Sequence, residues 1–431
     1  MHLARRSYLF IVLTAVIAIA GMWSSDPQLA LLWRVPAALL LLGLAIEGVA
    51  VRRLRPLARI DTPTPAFLGR PQRAAFVFTN RASRALSLEY APATPAGFDA
   101  SPAVRRLVLP AGSAYADTLE LLPVRLGPQP WPGLPARLRG PLALAWWDAT
   151  LQPQARFLVA PDTLRGSARV RGLAAGTRAR RVAGAGQELH QLRAYVRGDP
   201  LTRIDWKASA RSAGLISRDY SEDQHLDILV AIDAGRLSRV RSGALDRLAL
   251  YSNAAARLAE IVTHNDDRIA LVVYAERVLA ACPPARGLSA VARLRNTLAQ
   301  LAVQAAESDP MSAAIAIRNL LRQRALIVLL TDLDDANIAA ALARAVRLLA
   351  PPHLVLVAGV HSGEIEALAH REAHDWQDPW IALAAAEHQE RAVRQRLLLQ
   401  RLGAPVVAAP ADRLEGALFE RYEALRRSRR V

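Results

Sequence analysis

Apolar residues follow three rhythms along this chain, and each predicts a different kind of structure. The first rhythm is unbroken. Ser7 to Trp23 is one apolar run, and Leu29 to Val51 is a second, broken only by Arg34, Pro36 and Glu47. Each run is close to the ~20 residues a helix needs to cross a bilayer. No small-residue cleavage site follows the first run cleanly and the second comes at once, so the pattern predicts a two-helix membrane hairpin over residues 1–55 rather than a leader peptide. Arg5 and Arg6 precede the pair, Arg52, Arg53 and Arg55 follow it, and the connecting SSDPQ carries only Asp26. That asymmetry predicts both ends, and the soluble bulk, on the cytoplasmic side. Arg34 falls near the outer interface and Glu47 about a turn from the inner one, too shallow for either to require a transport role.

The second rhythm alternates. Over residues 56–163, runs such as AAFVFTN, LSLEY, RRLVLP and DTLELL are separated by Pro and Gly clusters, the spacing of a β-sandwich-like domain. The third rhythm begins at Leu226. LDILVAID, RIALVVYAERV, ALIVLLTD and HLVLVAGV are near-continuous apolar strands, with helices predicted over Ala244 to Thr263, Ala290 to Leu301 and Met311 to Arg322, and one more before the last strand. Leu248, Tyr251, Ala255, Leu258 and Val262 form one helical face. Buried parallel strands with helices between them predict a doubly wound α/β domain over 226–362. Residues 363–431 read as a helical extension with a short strand, PVVAA. Its long helix, Trp380 to Leu402, carries Glu387/Arg391 and Glu390/Arg394 at the favourable four-residue spacing. The terminal RRSRR reads as a solvated face.

Between the second and third rhythms lies a segment, 164–225, with a different character. Leu164 to Gly184 is rich in Arg, Gly and Ala without an apolar period, which is the signature of a linker. GQELHQLRAYVRGDPLTRIDWKASARSAGLISRDY follows, with two Arg/Asp steps (Arg197 with Asp199, Arg203 with Asp205), a Gly198-Asp199 turn, and Trp206 beside Lys207. This stretch resembles the signature of the bacterial domain-of-unknown-function 58 proteins, G-x-E-F-x-x-L-R-x-Y-x-x-G-D-x-x-R-x-I-D-W-K-x-x-A-R. The chain supplies Gly186, Glu188, Leu192, Arg193, Tyr195, Gly198, Asp199, Arg203, Ile204, Asp205, Trp206, Lys207, Ala210 and Arg211, and departs at His190 and in the spacing around Leu189. The resemblance extends more weakly over about residues 7–360. It implies a membrane anchor in the bacterial inner membrane, a β-rich domain ending at ARLRGPLALAWWD, and a von Willebrand A-like domain. It also implies a partner, a MoxR-type AAA+ ATPase, in assembly or maturation of other proteins. Trp146 and Trp147 then read as packing residues.

Composition narrows the options. At 431 residues and 52% hydrophobic, the chain holds two or three domains with real cores. The single cysteine, Cys282, excludes an internal disulfide framework and a Cys-rich zinc site. The net charge of +17 comes almost wholly from arginine dispersed over every segment, since Lys207 is the only lysine, and aromatics are only 5%. Dispersed charge without a helix-turn-helix or zinc-finger spacing speaks against nucleic acid as the partner.

Chemistry in a doubly wound sheet gathers at the carboxyl ends of the strands. Asp233 ends one strand and Asp332 another, with Asp334 and Asp335 behind it. The arrangement resembles the metal-ion-dependent adhesion site of von Willebrand A domains, D-x-S-x-S plus a second aspartate, which suits Mg²⁺. Gly235 and Leu237 stand in the two serine positions, so the predicted site is degenerate and no cofactor is assigned. The alternative role for Asp233 and Asp332 is to cap helices or accept loop amides. No P-loop, dinucleotide-binding glycines or nucleophile elbow is present, so the expectation is a non-catalytic scaffold. Its recognition surface is Glu188, Arg193, Tyr195, Gly198, Asp199, Arg203, Asp205, Trp206, Lys207 and Arg211, or else these residues clamp one domain to the next. The rival expectations are a metal-dependent hydrolase on Asp233, Asp332 and Asp334, and an extracytoplasmic adhesion module.

Overall fold

The computed structural model describes residues 1–23, 28, 31–61, 65–99, 103–153, 156–163, 182–184, 188–212, 214–222, 226–333 and 336–427. They form two units, Met1–Ala160 and Pro161–Val431.

In the first unit, α1 (Arg5–Met22) and α2 (Arg34–Arg53) are long and apolar enough to cross a membrane, and most of their side chains are exposed. The remainder is antiparallel β-structure with one parallel pairing. A five-stranded sheet runs in the order His2–Leu3, Ala145–Leu151, Leu134–Arg139, Leu86–Tyr90, Arg105–Leu109. A four-stranded sheet is built on Gln72–Thr79 and Ala114–Pro123, and a three-stranded one on Arg156–Ala160. Alternation along Gln72–Thr79 buries Phe76 and Phe78. Their rings meet Tyr90 and Trp131, with Phe78 and Tyr90 edge-on at 4.7 Å between centroids.

Helices and β-structure in this unit are joined through one turn. Ser7 Oγ donates to the Leu144 carbonyl and Ala4 N–H reaches the same oxygen at 2.7 Å. On the other side the buried Glu47 carboxylate of α2 accepts the N–H groups of Leu142 (2.9 Å), Leu144 (3.1 Å) and Ala145 (3.0 Å), with Trp147 Nε1 at 3.4 Å. Buried N–H groups require acceptors, and an acid in the apolar run supplies them. Glu47 is therefore a structural acceptor for the turn, and Trp147 packs against α2 as its aromatic character suggested.

The second unit begins with a small antiparallel sheet, β1 (Val182–Gly184), β2 (Glu188–Ala194) and β3 (Ile216–Glu222), in the order β1-β3-β2. The end of the stretch read as a linker is thus a strand, while 164–181 lie outside the described residues. The six-stranded sheet that follows contains β4 (Asp227–Asp233), β5 (Arg268–Tyr274), β6 (Val278–Ala285), β7 (Ala325–Leu330), β8 (Leu354–Val360) and β9 (Val406–Ala409), ordered β6-β5-β4-β7-β8-β9. All pairings are parallel except β5 with β6. The expectation of a wholly parallel sheet is corrected there. RIALVVYAERV turns back at Ala275, whose N–H bonds the Arg277 carbonyl at 3.0 Å, and an antiparallel edge strand follows.

Strand β4 is buried on both faces. Ile228, Val230 and Ile232 pack with α4 (Arg247–His264), α5 (Gly287–Leu298) and the last helix, Leu414–Arg427. Leu229 and Ala231 pack with α6 (Pro310–Leu320) and α7 (Ala336–Leu349) on the opposite face. Each fully buried leucine- or isoleucine-sized side chain contributes ~1.5–3 kcal/mol. The segment read as a C-terminal extension supplies edge strand β9 and buries Phe419 and Tyr422 in this same core. Both predicted pairs on the helix Asp378–Arg401 form, Arg391–Glu387 at 2.9 Å and Arg394–Glu390 at 2.5 Å.

Candidate functional site

The signature residues fold into one module built on β2 and β3. A turn closes with Asp199 N–H on the Val196 carbonyl at 3.0 Å, and Gly198 takes φ +112°, a conformation that side-chain-bearing residues rarely adopt. That turn swings Asp199 back over β2, where Arg193 forks onto it with two bonds of 2.8 Å and Val196 N–H adds a third at 3.0 Å. Asp205 caps the short helix α3 (Trp206–Ser209), accepting Ala208 N–H at 3.0 Å, and its second oxygen takes Arg218 Nε of β3 at 3.0 Å. Tyr195 is half-buried and its N–H bonds the Leu215 carbonyl at 2.8 Å.

The Arg197/Asp199 and Arg203/Asp205 steps were expected to need defined partners, and the two carboxylates find them across the fold in Arg193 and Arg218. Arg203 is half-buried and acts on Asp199 only at longer range. Once the internal pairs are made, a mixed surface is left: Trp206 is 65% exposed and Leu201 69%, with Leu192, Val196 and Leu215 also exposed, and Arg197, Lys207 and Arg211 at solvent. Glu188 and His190 lie on β2, but their side chains are outside the described residues, as is Gly186.

Both carboxyls are held below the usual range, Asp199 by the Arg193 guanidinium and then the Val196 N–H, Asp205 by Arg218 and then the Ala208 N–H. A folded value below the unfolded one stabilises the module above the unfolded value, and this contribution is lost as pH falls through the folded value. Carboxyl NMR titration of the two aspartates should therefore give midpoints below about 3.9, with Arg193→Gln raising the Asp199 midpoint alone. A wild-type midpoint at or above that reference removes the pairing.

At the other candidate site, β4 and β7 are neighbours from which the sheet winds outward in both directions, a topological switch point. Asp233 ends β4, and Thr331 and Asp332 follow β7. Asp233 is buried. One oxygen accepts Gly235 N–H (2.8 Å) and the Ser308 hydroxyl, and the other accepts Thr331 Oγ1 at 2.8 Å. Burial pushes its carboxyl up, against these three donors. The segment carrying Ser308 is laced over the strand ends by Gln304 N–H to the Ala234 carbonyl (2.7 Å), Arg236 N–H to the Ala306 carbonyl (2.9 Å) and Asp309 N–H to the Ala275 carbonyl (2.8 Å). A Cβ at Gly235, where the adhesion-site pattern has a serine, would meet the Ser308 hydroxyl, which would have to turn away from Asp233 to make room. Asp332 is paired with the buried guanidinium of Arg247, the first residue of α4.

Asp233 is engaged by an N–H and two hydroxyls and Asp332 by a guanidinium, and no cluster of three or more His, Cys, Asp or Glu that could hold a metal occurs among the described residues. Asp334 and Asp335 lie outside them. Arg247, Ser308 and Arg218 were missed in sequence reasoning, and only their charge or hydroxyl could have hinted at them.

Residues 191–396 match the family described as Protein of unknown function DUF58. No curated protein matches the chain. Among solved structures, the cupredoxin domain of amoB from Nitrosocaldus yellowstonii aligns at 12% identity and a TM-score of 0.13. That alignment covers 21% of this chain and 55% of the other.

Proposed function

We propose that this chain is a membrane-anchored, non-catalytic binding protein. In this reading α1 and α2 cross a bacterial inner membrane as a hairpin, with both ends in the cytoplasm. The second unit, a von Willebrand A-like domain with its signature module, grips a protein partner there. The partner we infer is a MoxR-type AAA+ ATPase, with this chain positioning the ring or presenting a client for assembly or maturation.

The observation that carries the reading is the division of charge in the signature module. Asp199 and Asp205 are engaged by Arg193 and Arg218, while Trp206, Leu201, Lys207 and Arg211 face outward. Exposed tryptophan and arginine around an apolar centre is the composition of an interface hot spot. The strand order with one antiparallel edge supports the von Willebrand A likeness, and the occupied state of Asp233 and Asp332 weighs against a metal-dependent hydrolase. An adhesion module facing outward would need the opposite arginine asymmetry about the helices.

Tagged full-length protein, purified in mild detergent from its own host, is expected to bring down the ring ATPase in the presence of a chelator. Trp206→Ala is expected to lower that recovery about thirtyfold, the effect of ~2 kcal/mol at a hot spot. Recovery of no ATPase, or equal recovery by the variant, overturns the assignment. A C-terminal reporter reading as periplasmic overturns the topology.

A further inference from the structure

We propose that α2 and the turn before Leu86 together form a binding site for one anionic phospholipid; this rests on the reading of α2 as a membrane-spanning helix. A cleft of about 560 Å³ is lined by Ala45, Ile46, Val49, Ala50 and Leu54, with Arg53 and Arg84. Its volume lies in the range of small-molecule sites. Ile46, Val49, Ala50 and Arg53 are spaced i, i+3, i+4, i+7, so they form one stripe along the helix. This stripe is distinct from the face of Gly43, Glu47 and Val51, which is buried.

The two ends of the cleft differ in chemistry. From Ile46 to Arg53 the floor is apolar for about 10 Å of helix rise, continuous with the exposed side chains of Leu39, Leu42 and Ile46. At its upper end stand two guanidinium groups from separate elements. Arg84 is not on a loose tip. Its carbonyl is bound at 2.8 Å by Asn80 Nδ2, which also holds the Leu109 and Pro110 carbonyls at 3.2 and 2.9 Å, while Asn80 Oδ1 takes Ala82 N–H at 2.9 Å. Asn80 is itself 1% exposed, so the turn that presents Arg84 is fixed from inside. No carboxylate lines the cleft, and among the described residues neither Arg53 nor Arg84 is ion-paired.

An apolar trough ending between two arginines at the end of a membrane-length helix is complementary to an acyl chain carrying a phosphate. Arginine binds phosphate oxygens in a fork, and the anionic lipids of the cytoplasmic leaflet are the phosphates available at that depth. A zwitterionic lipid brings an ammonium group that the two guanidiniums repel, so the site selects net-negative headgroups such as phosphatidylglycerol.

The test uses the full chain in nanodiscs of mixed phosphatidylglycerol and phosphatidylcholine, released and analysed by native mass spectrometry. The wild type is expected to retain one phosphatidylglycerol in preference to phosphatidylcholine. The R53Q/R84Q double variant is expected to lose this preference, at about fivefold per arginine. R70Q/R125Q, which removes two exposed arginines from elsewhere on the same unit, is expected to keep it. No preference in the wild type, equal loss in both double variants, or displacement of the lipid by inorganic phosphate overturns the site. Alkaline extraction of native membranes separates the two failures. Protein that stays embedded but shows no preference overturns the lipid site alone, and protein that washes off overturns the membrane reading with it.

Discussion

Arg247→Ala is expected to destabilise the second unit by about 3–5 kcal/mol, the usual cost of breaking a buried ion pair from one side. Arg247 and Asp332 are 6% and 8% exposed at their side chains, so water cannot replace the guanidinium in place. In a unit of this size that corresponds to a fall of about 10 °C in melting temperature, measurable on the full chain in detergent by circular dichroism. Removing both charges is a different experiment. R247M/D332L substitutes apolar groups for the pair, and such replacements are often neutral or stabilising. The double variant should therefore melt above the single one. If Arg247→Ala melts with the wild type, the pair does not close the switch point of the sheet. Added Mg²⁺ should leave the wild-type melting temperature unchanged, because Asp332 already has its cation.

The second large effect is expected at Glu47. In Glu47→Ala three N–H groups, of Leu142, Leu144 and Ala145, lose their acceptor at once. Each buried donor left unsatisfied costs ~1–3 kcal/mol, so the total is about 3 kcal/mol or more even if water recovers part of it. Glu47→Gln should fall between, since an amide has one accepting oxygen and an NH₂ that faces donors. Hydrogen exchange read at those three amides in detergent measures this directly, with protection falling in the order wild type, Gln, Ala. Unchanged protection in the alanine variant would show that the turn is held by other contacts.

The architecture was legible because most of it is written in local periodicity. Unbroken runs, alternation and the three-to-four spacing of Leu248, Tyr251, Ala255, Leu258 and Val262 each state an element and its buried face. The pairing of distant side chains is not written that way. Arg247 lies 85 residues from Asp332 and Ser308 lies 75 from Asp233, so nothing near either aspartate announces its partner. The signature shows the same limit at short range. The two aspartates called for partners without naming them, and a turn at Gly198 and a strand return at Ile216 bring Arg193 and Arg218 to them. Glu47 was read by depth alone, as an acid near an interface. Its role became visible only when the 140–145 turn was seen to present its N–H groups to it.

The exposed position of Lys207 on α3 has a practical consequence. It carries the only side-chain amine in the chain. An amine-directed cross-linker applied to intact cells therefore has a single side-chain address on this molecule, within a residue of Trp206. Any polypeptide captured through it was touching the signature module at the time, so a single covalent adduct reports both who the neighbour is and which face it occupies.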